Sequence, residues 1–237
     1  MHPSWRAAWR AQPGGSRGVS VGEGEMSDVL ERLAAARIVA IVSVGDVEGA
    51  VALVDDLAAA GVETVEILFR NADAPKALVR CRARHPEMLL AAGTIVTADL
   101  CRQAVEAGAD LMISPGLTPA LAAASRTVPL PLIAGVQTAS EVMAAAELGL
   151  RLVKFYPAEP NGAPAILRDY ANVFPAMRFV PTGGIGEAQL AAYGALKNVA
   201  AVGGSWLHAG LDPGPERVTI LTQRVARAKG LMGADGS

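Results

Sequence analysis

Residues 132–157 read LIAGVQTASEVMAAAELGLRLVKFYP and contain one complete copy of a repeating unit. Residues 132–136 and 152–156 are apolar almost without interruption, as strands covered on both faces are. Between these runs, Thr138 and Glu141 have the spacing of a capping box, which starts a helix. The segment therefore predicts a parallel strand–helix–strand unit.

The same unit recurs along the chain from residue 27 onward. Gly61, Gly108 and Gly149 each follow an Ala-rich helical stretch, at the position where a glycine commonly ends a helix. The apolar runs of strand length cover residues 38–44, 62–69, 89–92, 111–114, 132–136, 152–156, 178–181 and 199–202. Eight such units predict an α/β fold, the (β/α)8 TIM barrel, with an extra N-terminal helix over residues 28–36.

An open, doubly wound sheet is the alternative architecture. Such sheets normally carry a G-x-G-x-x-G turn after the first strand. The first run here continues as Val44-Gly45-Asp46-Val47, which lacks that turn. The sequence therefore favours the barrel.

Residues 1–26 differ in composition from the rest of the chain. Glycine and serine are frequent there without any apolar period, so we expect a disordered tail or a mis-assigned start, with Met26 as the natural first residue. A transit peptide is the alternative, whereas the apolar core of a secretory signal is absent. We expect residues 27–237 to form a single domain.

The composition excludes several classes of protein. Hydrophobic residues make up 51% and charged residues 19% of the chain, which is atypical of a disordered protein. The formal net charge is −2 without a long basic run, so we expect no nucleic-acid partner. No uncharged apolar stretch approaches the length of about 18 residues that a membrane span needs.

The cysteines and histidines indicate neither a disulfide framework nor a metal site. Cys81 and Cys101 are the two cysteines of the sequence, and neither has metal-ligand spacing. His2, His85 and His208 fit no metal triad, so we expect no metal ion. A reducing cytoplasm is the simplest location for such a chain.

Lys154 interrupts the sixth apolar run. Side chains alternate along a strand, so Lys154 faces the interior if Leu152 and Tyr156 do. Burial disfavours the charged form of an amine, and a neutral amine is a nucleophile towards carbonyl carbons. Two interpretations remain open for this residue alone: a Schiff-base lysine, or one half of a structural ion pair.

Glu66 lies among apolar residues in the second run, and Arg70 follows at its end. A carboxylate near Lys154 could move protons during imine formation and carbon–carbon chemistry, or it could simply neutralise the lysine. Arg70 offers a planar pair of donors that suits a substrate carboxylate, and a solvated arginine at the rim is the alternative.

Other apolar runs also end in residues that suit a binding site. Thr94 places a hydroxyl after the third run, and Pro115 lies in the turn that follows the fourth. Active sites of barrels lie at the carboxyl ends of the strands, so we expect both residues at the site. An ordinary turn threonine is the alternative for Thr94.

Glycine pairs follow the seventh and eighth runs, in Thr182-Gly183-Gly184 and in Gly203-Gly204-Ser205. Glycines allow backbone N–H groups to approach an anion closely. The loops after strands seven and eight are the usual phosphate site of this fold. We therefore predict a phosphate-binding cradle at these two turns.

Five segments together resemble those of one family in order and spacing: Gly93-Thr94, ISPGLT at 113–118, VKFYPAE at 153–159, PTGGI at 181–185 and GGSWL at 203–207. The family comprises the 2-keto-3-deoxy-6-phosphogluconate (KDPG) and 4-hydroxy-2-oxoglutarate (KHG) aldolases, which are class I aldolases. The resemblance covers about residues 27–230.

The resemblance implies a role for each candidate residue. Lys154 would form the Schiff base and Glu66 would act as the general acid and base. The pyruvate end would be lined by Arg70, Thr94 and Pro115. Tyr156 takes a place usually filled by phenylalanine, and its ring would wall the lysine pocket. The hydroxylated chain and its phosphate would be held by Thr182, Gly183, Gly184, Gly204 and Ser205.

The resemblance also implies an activity and an assembly. The enzyme would be a carbon–carbon lyase that cleaves 2-dehydro-3-deoxy-6-phosphogluconate to pyruvate and glyceraldehyde 3-phosphate, in the Entner–Doudoroff pathway. No cofactor is implied, because an imine on Lys154 supplies the electron sink. The implied partners are small molecules, the phosphorylated keto acid and pyruvate, and the family's trimeric barrel implies a homotrimer.

The chain departs from the family's common residues at four positions: Ala40, Leu68, Asn71 and Ala134. Leu68 matters most, because it removes a hydroxyl from the strand that carries Glu66. KHG and 2-dehydro-3-deoxy-6-phosphogalactonate are therefore alternative substrates. Arg70 and Thr182, in contrast, favour 2-dehydro-3-deoxy-6-phosphogluconate as the substrate. Two alternatives belong to other classes: a phosphosugar isomerase and a non-catalytic sugar-phosphate-binding barrel.

Overall fold

The computed structural model describes residues 23–233 as alternating helices and parallel strands. The described strands are β1 (Ile38–Ser43), β2 (Thr64–Leu68), β3 (Leu89–Gly93), β4 (Leu111–Ile113), β5 (Leu132–Ile133), β6 (Gly135–Val136), β7 (Leu152–Phe155), β8 (Arg178–Pro181) and β9 (Val202–Gly204). The described α-helices are α1 (Glu23–Ala36), α2 (Val47–Ala59), α3 (Asp73–Arg84), α4 (Ala98–Glu106), α5 (Pro119–Ser125), α6 (Ala139–Glu147), α7 (Ala163–Val173), α8 (Leu190–Gly194) and α9 (Arg217–Leu231). Short 3-10 turns precede α7 and α8, at Glu159–Asn161 and Glu187–Gln189.

The strands form two parallel sheets. One sheet has six strands in the order β5-β4-β3-β2-β1-β9, and the other has three in the order β6-β7-β8. Single bridges join Phe179 to Val199 and Thr182 to Gly203, on either side of the gap between β8 and β9. The predicted parallel α/β fold is therefore confirmed.

Side chains alternate between two hydrophobic clusters, as a pleated strand requires. The smaller, which we call the inner cluster, receives residues from both sheets, for example Val39 of β1 and Val180 of β8. Leu30 and Leu33 of α1 pack into the same inner cluster. The larger cluster lies between the sheets and the other helices. Burial on both faces explains why the strands read as continuous apolar runs.

The segment that leads into β1 is bonded to the segment that follows α9. Arg37 adopts a positive φ of 61°, and its guanidinium donates to the carbonyl of Met232 at 2.6 and 3.1 Å. It also donates to the carbonyls of Val199 and Ala200, just before β9, at 2.8 and 3.1 Å. Arg37 therefore links the residue before β1 to the segments that precede β9 and follow α9, at the amino-terminal side of the strands.

Most strands differ from the predicted runs by one or two residues at an end, and three elements differ by more. Helix α1 begins at Glu23 rather than at residue 28, since Glu and Met are good helix formers and extend it backwards. The fifth run is divided at Ala134 into β5 and β6, because β5 pairs with β4 and β6 with β7. The last strand is β9, at 202–204 rather than at 199–202.

The predicted tail, residues 1–26, lies mostly outside the described residues, and its last four residues belong to α1. Within residues 23–233, no helix is long and apolar enough to cross a membrane. Cys81 and Cys101 are both free thiols and both buried.

Helix α6 begins with the predicted capping box. The Thr138 Oγ1 accepts a hydrogen bond from Glu141 N at 3.3 Å, and Glu141 Oε2 accepts one from Thr138 N at 2.8 Å. These two bonds satisfy backbone donors that the first turn of a helix leaves free. Hydrogen bonds from the backbone of Thr138, and then of Gln137, lower the pKa of the Glu141 carboxyl.

We expect Thr138→Ala to lower the free energy of unfolding by about 1 kcal/mol, because it removes the cap of α6. Urea denaturation would measure the change. The matched control is Thr222→Ala, which removes an exposed hydroxyl inside α9 that only bonds back to the Val218 carbonyl. An equal effect of both substitutions would contradict the role of the cap.

Candidate active site

Lys154 and Glu66 form a buried ion pair at the centre of the molecule. Lys154 is the third residue of β7, and Glu66 is the third residue of β2 in the other sheet. The Nζ of Lys154 lies 3.1 Å from Oε1 and 3.3 Å from Oε2 of Glu66. Lys154 is 6% and Glu66 1% exposed. The prediction that Lys154 faces inward with Leu152 is confirmed, since Leu152 belongs to the inner cluster.

A glycine on the neighbouring strand makes room for the carboxylate. Gly93 ends β3, and β3 pairs with β2 so that Gly93 is opposite Leu68. A Cβ at Gly93 would lie 2.4 Å from Glu66 Oε1, far inside van der Waals contact. The Gly93-Thr94 segment is therefore needed for the position of Glu66 as well as for the rim of the site.

A cavity of about 460 Å³ opens above this pair at the carboxyl ends of the strands. Glu66 lies beneath the cavity, bonded to Lys154, and the other residues predicted for the site line its wall: Arg70, Thr94, Pro115, Lys154, Tyr156, Thr182, Gly183, Gly184, Gly204 and Ser205. The structure thus brings all the sequence-predicted positions together in one place.

One side of the cavity carries Arg70 and Thr94. The Arg70 Nε donates to Thr94 Oγ1 across 3.4 Å, so the guanidinium and the hydroxyl share one corner. Thr94 has a φ of 61°, which is rare for a β-branched residue and costs conformational energy. A strained conformation of this kind persists only where the surrounding structure fixes the residue, and it is frequent at functional sites.

The ring of Tyr156 covers the lysine. Its centroid lies 5.6 Å from Lys154 Nζ, within the range of about 6 Å over which a ring face attracts a cation. Tyr156 is 37% exposed, so the ring separates the amine from solvent while remaining accessible from the cavity. The predicted role of this ring as a wall of the pocket agrees with this geometry.

The two glycine turns lie side by side on the opposite wall. A bridge joins Thr182 to Gly203, and Thr182 N donates to the Phe155 carbonyl at 3.0 Å. Gly183 and Gly184 have φ values of 105° and 78°, in the left-handed region that glycine adopts easily. Consecutive backbone N–H groups in such turns form concave sites for anions.

Several wall residues were not singled out from the sequence: Ile41, Ser43, Ile185, Trp206 and Ala209. Ser43 carried a usable signal, because it is a polar residue at the end of the first apolar run. The others are apolar or aromatic and cannot be distinguished from core residues by pattern alone. Trp206 contributes a buried indole Nε1 that has no hydrogen-bond partner among the described residues.

Neither of the two described histidines lines the cavity, although His208 bonds to the backbone of a wall residue. His85 Nε2 is 2.7 Å from Asp55 Oδ1, and His208 Nε2 is 2.9 Å from the Ile41 carbonyl oxygen. His2 lies outside the described residues. In the part of the chain that the structure describes, no three His, Cys, Asp or Glu side chains cluster as metal ligands.

Comparison with known proteins agrees with the geometry. A family model described as "KDPG and KHG aldolase" matches residues 29–212. The chain belongs to the KDPG and KHG aldolase family. This is a family of carbon–carbon lyases, and the resemblance read from the five segments is confirmed.

Individual family members cover most of the chain. A 2-dehydro-3-deoxy-phosphogluconate aldolase of Treponema pallidum is 37% identical over 210 residues, which are 87% of this chain and 100% of that protein. The KHG/KDPG aldolase of Escherichia coli K12 is 40% identical over 170 residues, 72% of this chain and 80% of that protein.

Solved structures of the KDPG and KHG aldolase family have the same fold. The KDPG aldolase of Legionella pneumophila, with pyruvate captured as a covalent carbinolamine, is 32% identical, with a TM-score of 0.75. The match covers 87% of this chain and 98% of that one.

The conformation of Thr94 generates a stability prediction. Thr94→Gly should raise the free energy of unfolding by up to about 1 kcal/mol, because relief of about 1–2 kcal/mol of strain exceeds the entropic cost of glycine. Chemical denaturation would measure it. Thr97→Gly is the control, since Thr97 caps α4 with an extended φ of −139° and should lose stability instead. If Thr94→Gly lowered the free energy of unfolding as much as Thr97→Gly does, Thr94 would not be conformationally strained.

Proposed function

We propose that this protein is a class I aldolase that cleaves KDPG to pyruvate and glyceraldehyde 3-phosphate. The observation that carries the proposal is the buried Lys154 amine, 3.1 Å from the Glu66 carboxylate at the base of an open cavity. An ion pair that served stability alone would not need to face a cavity. A buried pair often contributes little net stability, so its cost indicates a chemical use.

Imine formation follows from the contact between the two side chains. Glu66 accepts a proton from the Lys154 ammonium, and the neutral amine attacks the C2 ketone of the substrate. The resulting carbinolamine loses water, for which Glu66 returns a proton to the departing hydroxyl. The product is a protonated imine on Lys154, a strong electron sink that makes an external cofactor unnecessary.

Carbon–carbon cleavage uses the same pair. Glu66, directly or through one water, removes the proton of the C4 hydroxyl. The C3–C4 electron pair moves into the imine, which releases the aldehyde and leaves an enamine on Lys154. Protonation at C3 and addition of water to the imine then release pyruvate and restore the amine.

The wall of the cavity divides into two ends with different chemistry. Arg70 and Thr94 would hold the carboxylate at the pyruvate end, where the guanidinium offers two parallel donors and Pro115 closes the side. The glycine turns with Thr182 and Ser205 would hold the phosphate through backbone N–H groups. Tyr156 lies between the two ends and would pack against the reacting carbons.

We further propose that the two sheets close into the predicted (β/α)8 barrel. Its support is that Ala134 connects β5 to β6 without a break in the chain, and that the Ala134 carbonyl accepts from Lys154 N at 2.9 Å. The bridges between β8 and β9 supply the remaining junction. A homotrimer, which the family resemblance implies, completes the proposal. We also propose a single domain over residues 27–237, from the length of the chain, and a cytoplasmic location, from its two free cysteines.

KHG and the galactonate analogue of KDPG are the alternative substrates. Leu68 lines the cavity opposite Ser43 of β1, so β2 itself offers no hydroxyl to the substrate at this point of the wall. One relative in this family is named for both KHG and KDPG, the Escherichia coli enzyme. The ratio of kcat/KM values for the three substrates would decide among them, and Arg70 with Thr182 leads us to expect the highest value for KDPG.

Trapping with pyruvate and borohydride tests the covalent step. We expect the intact mass to rise by one reduced pyruvyl group, with the adduct mapped to Lys154, because reduction fixes the imine irreversibly. Lys197→Ala, which removes an exposed lysine, should keep the adduct, whereas Lys154→Ala should lose it.

Removal of Lys154 alone would leave a buried carboxylate, which commonly costs about 3–5 kcal/mol of stability. The double variant Lys154→Met/Glu66→Gln carries no buried charge and serves as the folded comparison. A folded wild-type protein without any adduct would reject the Schiff base and favour the isomerase or the binding protein.

Glu66→Gln should lower kcat by about 10²–10⁴-fold, because the amide cannot accept a proton in the cleavage step. Steady-state turnover of KDPG would measure this loss. Glu63→Gln is the matched control: Glu63 lies just before the same strand, bonds to Lys229 and should leave kcat unchanged. A kcat for Glu66→Gln within a factor of a few of the wild type would remove Glu66 from the mechanism.

A further inference from the structure

Tyr193 buries a hydroxyl that the proposed mechanism does not use. It lies on α8, is fully buried, and its hydroxyl donates a hydrogen bond to Glu159 Oε1. Burial, followed by the hydrogen bond to Glu159 and its negative charge, raises the pKa of the Tyr193 phenol. The phenol is therefore a permanent neutral donor, and neither residue lines the cavity wall described above.

Glu159 also holds the first glycine turn through its backbone. It lies in the 3-10 turn after β7, four residues beyond the end of the strand that contains Lys154. Its N–H donates to the Gly183 carbonyl at 3.0 Å, and the preceding Ala158 N–H donates to the Thr182 carbonyl at 2.8 Å. These two hydrogen bonds join the loop after β7 to the turn after β8.

The side-chain stem of Glu159 presses on the same turn. A Cβ built on Gly184 would lie only 3.0 Å from Glu159 Cβ, closer than two side-chain carbons normally pack, so a larger residue at 184 would displace one of them. Gly184 has a φ of 78°, a second reason for glycine here. Glu159 therefore makes two hydrogen bonds. Its backbone N–H binds the beginning of the turn, and its carboxylate binds Tyr193 on the helix that follows the turn.

We propose that Glu159 and Tyr193 are positioning residues, which together set the distance between the phosphate-binding turn and Lys154. This inference rests on the proposed function. The turn runs from Thr182 to Gly186 and leads towards α8. Backbone hydrogen bonds attach its start to the loop after β7, and the Tyr193–Glu159 bond attaches the following helix to the same loop. These contacts together determine where the backbone N–H groups of the turn point. Without the Tyr193–Glu159 bond, α8 loses its one side-chain link to that loop among the described hydrogen bonds.

Tyr193→Phe tests the inference, because it removes one hydroxyl and keeps the packed ring. We expect KM for KDPG to rise by up to about tenfold with kcat nearly unchanged, because part of the binding energy of the phosphate must then restore the position of the turn, and the strength of the lost bond sets the upper limit. Turnover of 2-dehydro-3-deoxygluconate, the same carbon chain without the phosphate, should not change. The pyruvate concentration that half-saturates borohydride trapping on Lys154 should not change either.

Tyr170→Phe is the matched control. Tyr170 lies partly buried on α7, and its hydroxyl donates to the Gln137 carbonyl at 3.5 Å. We expect this substitution to leave KM for both substrates at the wild-type value. A rise in KM for KDPG as large as that of Tyr193→Phe would overturn the inference.

Substitutions of Glu159 provide a second measurement if Tyr193→Phe does not fold. Glu159→Gln keeps an oxygen that can accept from Tyr193 and should retain a KM near that of the wild type. Glu159→Ala keeps the Cβ beside Gly184 but loses the acceptor, and should reproduce the phosphate-specific rise in KM. Equal losses with the phosphorylated and unphosphorylated substrates, or none with either, would overturn the inference.

The two proposals fail in distinguishable ways. If the wild-type protein does not trap pyruvate, the proposed function is wrong. If the wild type traps pyruvate and cleaves KDPG, but the variants leave the preference for the phosphorylated substrate unchanged, only the positioning role is wrong.

Discussion

An ammonium and a carboxylate 3.1 Å apart, both nearly excluded from solvent, constrain most of the structure around them. A lone buried charge would cost several kcal/mol, so β2 and β7 must present Glu66 and Lys154 to the same interior. A slip of one residue in either strand would turn its charged side chain towards the outer helices. The absence of a side chain at Gly93 follows from the same need, because a Cβ there would collide with the Glu66 carboxylate.

Much of the fold could be predicted because strands covered on both faces are continuously apolar, and because Thr138 and Glu141 mark a helix start through local spacing. The polar residues inside those runs then identified the site. The division of β5 from β6 at Ala134 and the position of β9 could not be predicted, since pairing partners decide where a strand is interrupted. The contact of Glu159 with Tyr193 joins residues 34 positions apart, and no local pattern encodes it.

In the proposed mechanism, different parts of the cavity form the covalent bond and select the substrate. The reacting pair comes from the middle of β2 and β7, whereas the rim comes from loops after several strands. Loops tolerate change better than strand interiors, because fewer packed neighbours depend on them. On the proposed mechanism, replacement of a residue in these loops can therefore alter which substrate is preferred while the imine chemistry is retained.

Arg37 bonds to the carbonyls of Val199, Ala200 and Met232 at the amino-terminal side of the strands, and the candidate active-site cavity opens at the other side. The end of α9 is thus on the face remote from the mouth of the cavity. Immobilisation on a solid support through that end would present the cavity to the solution.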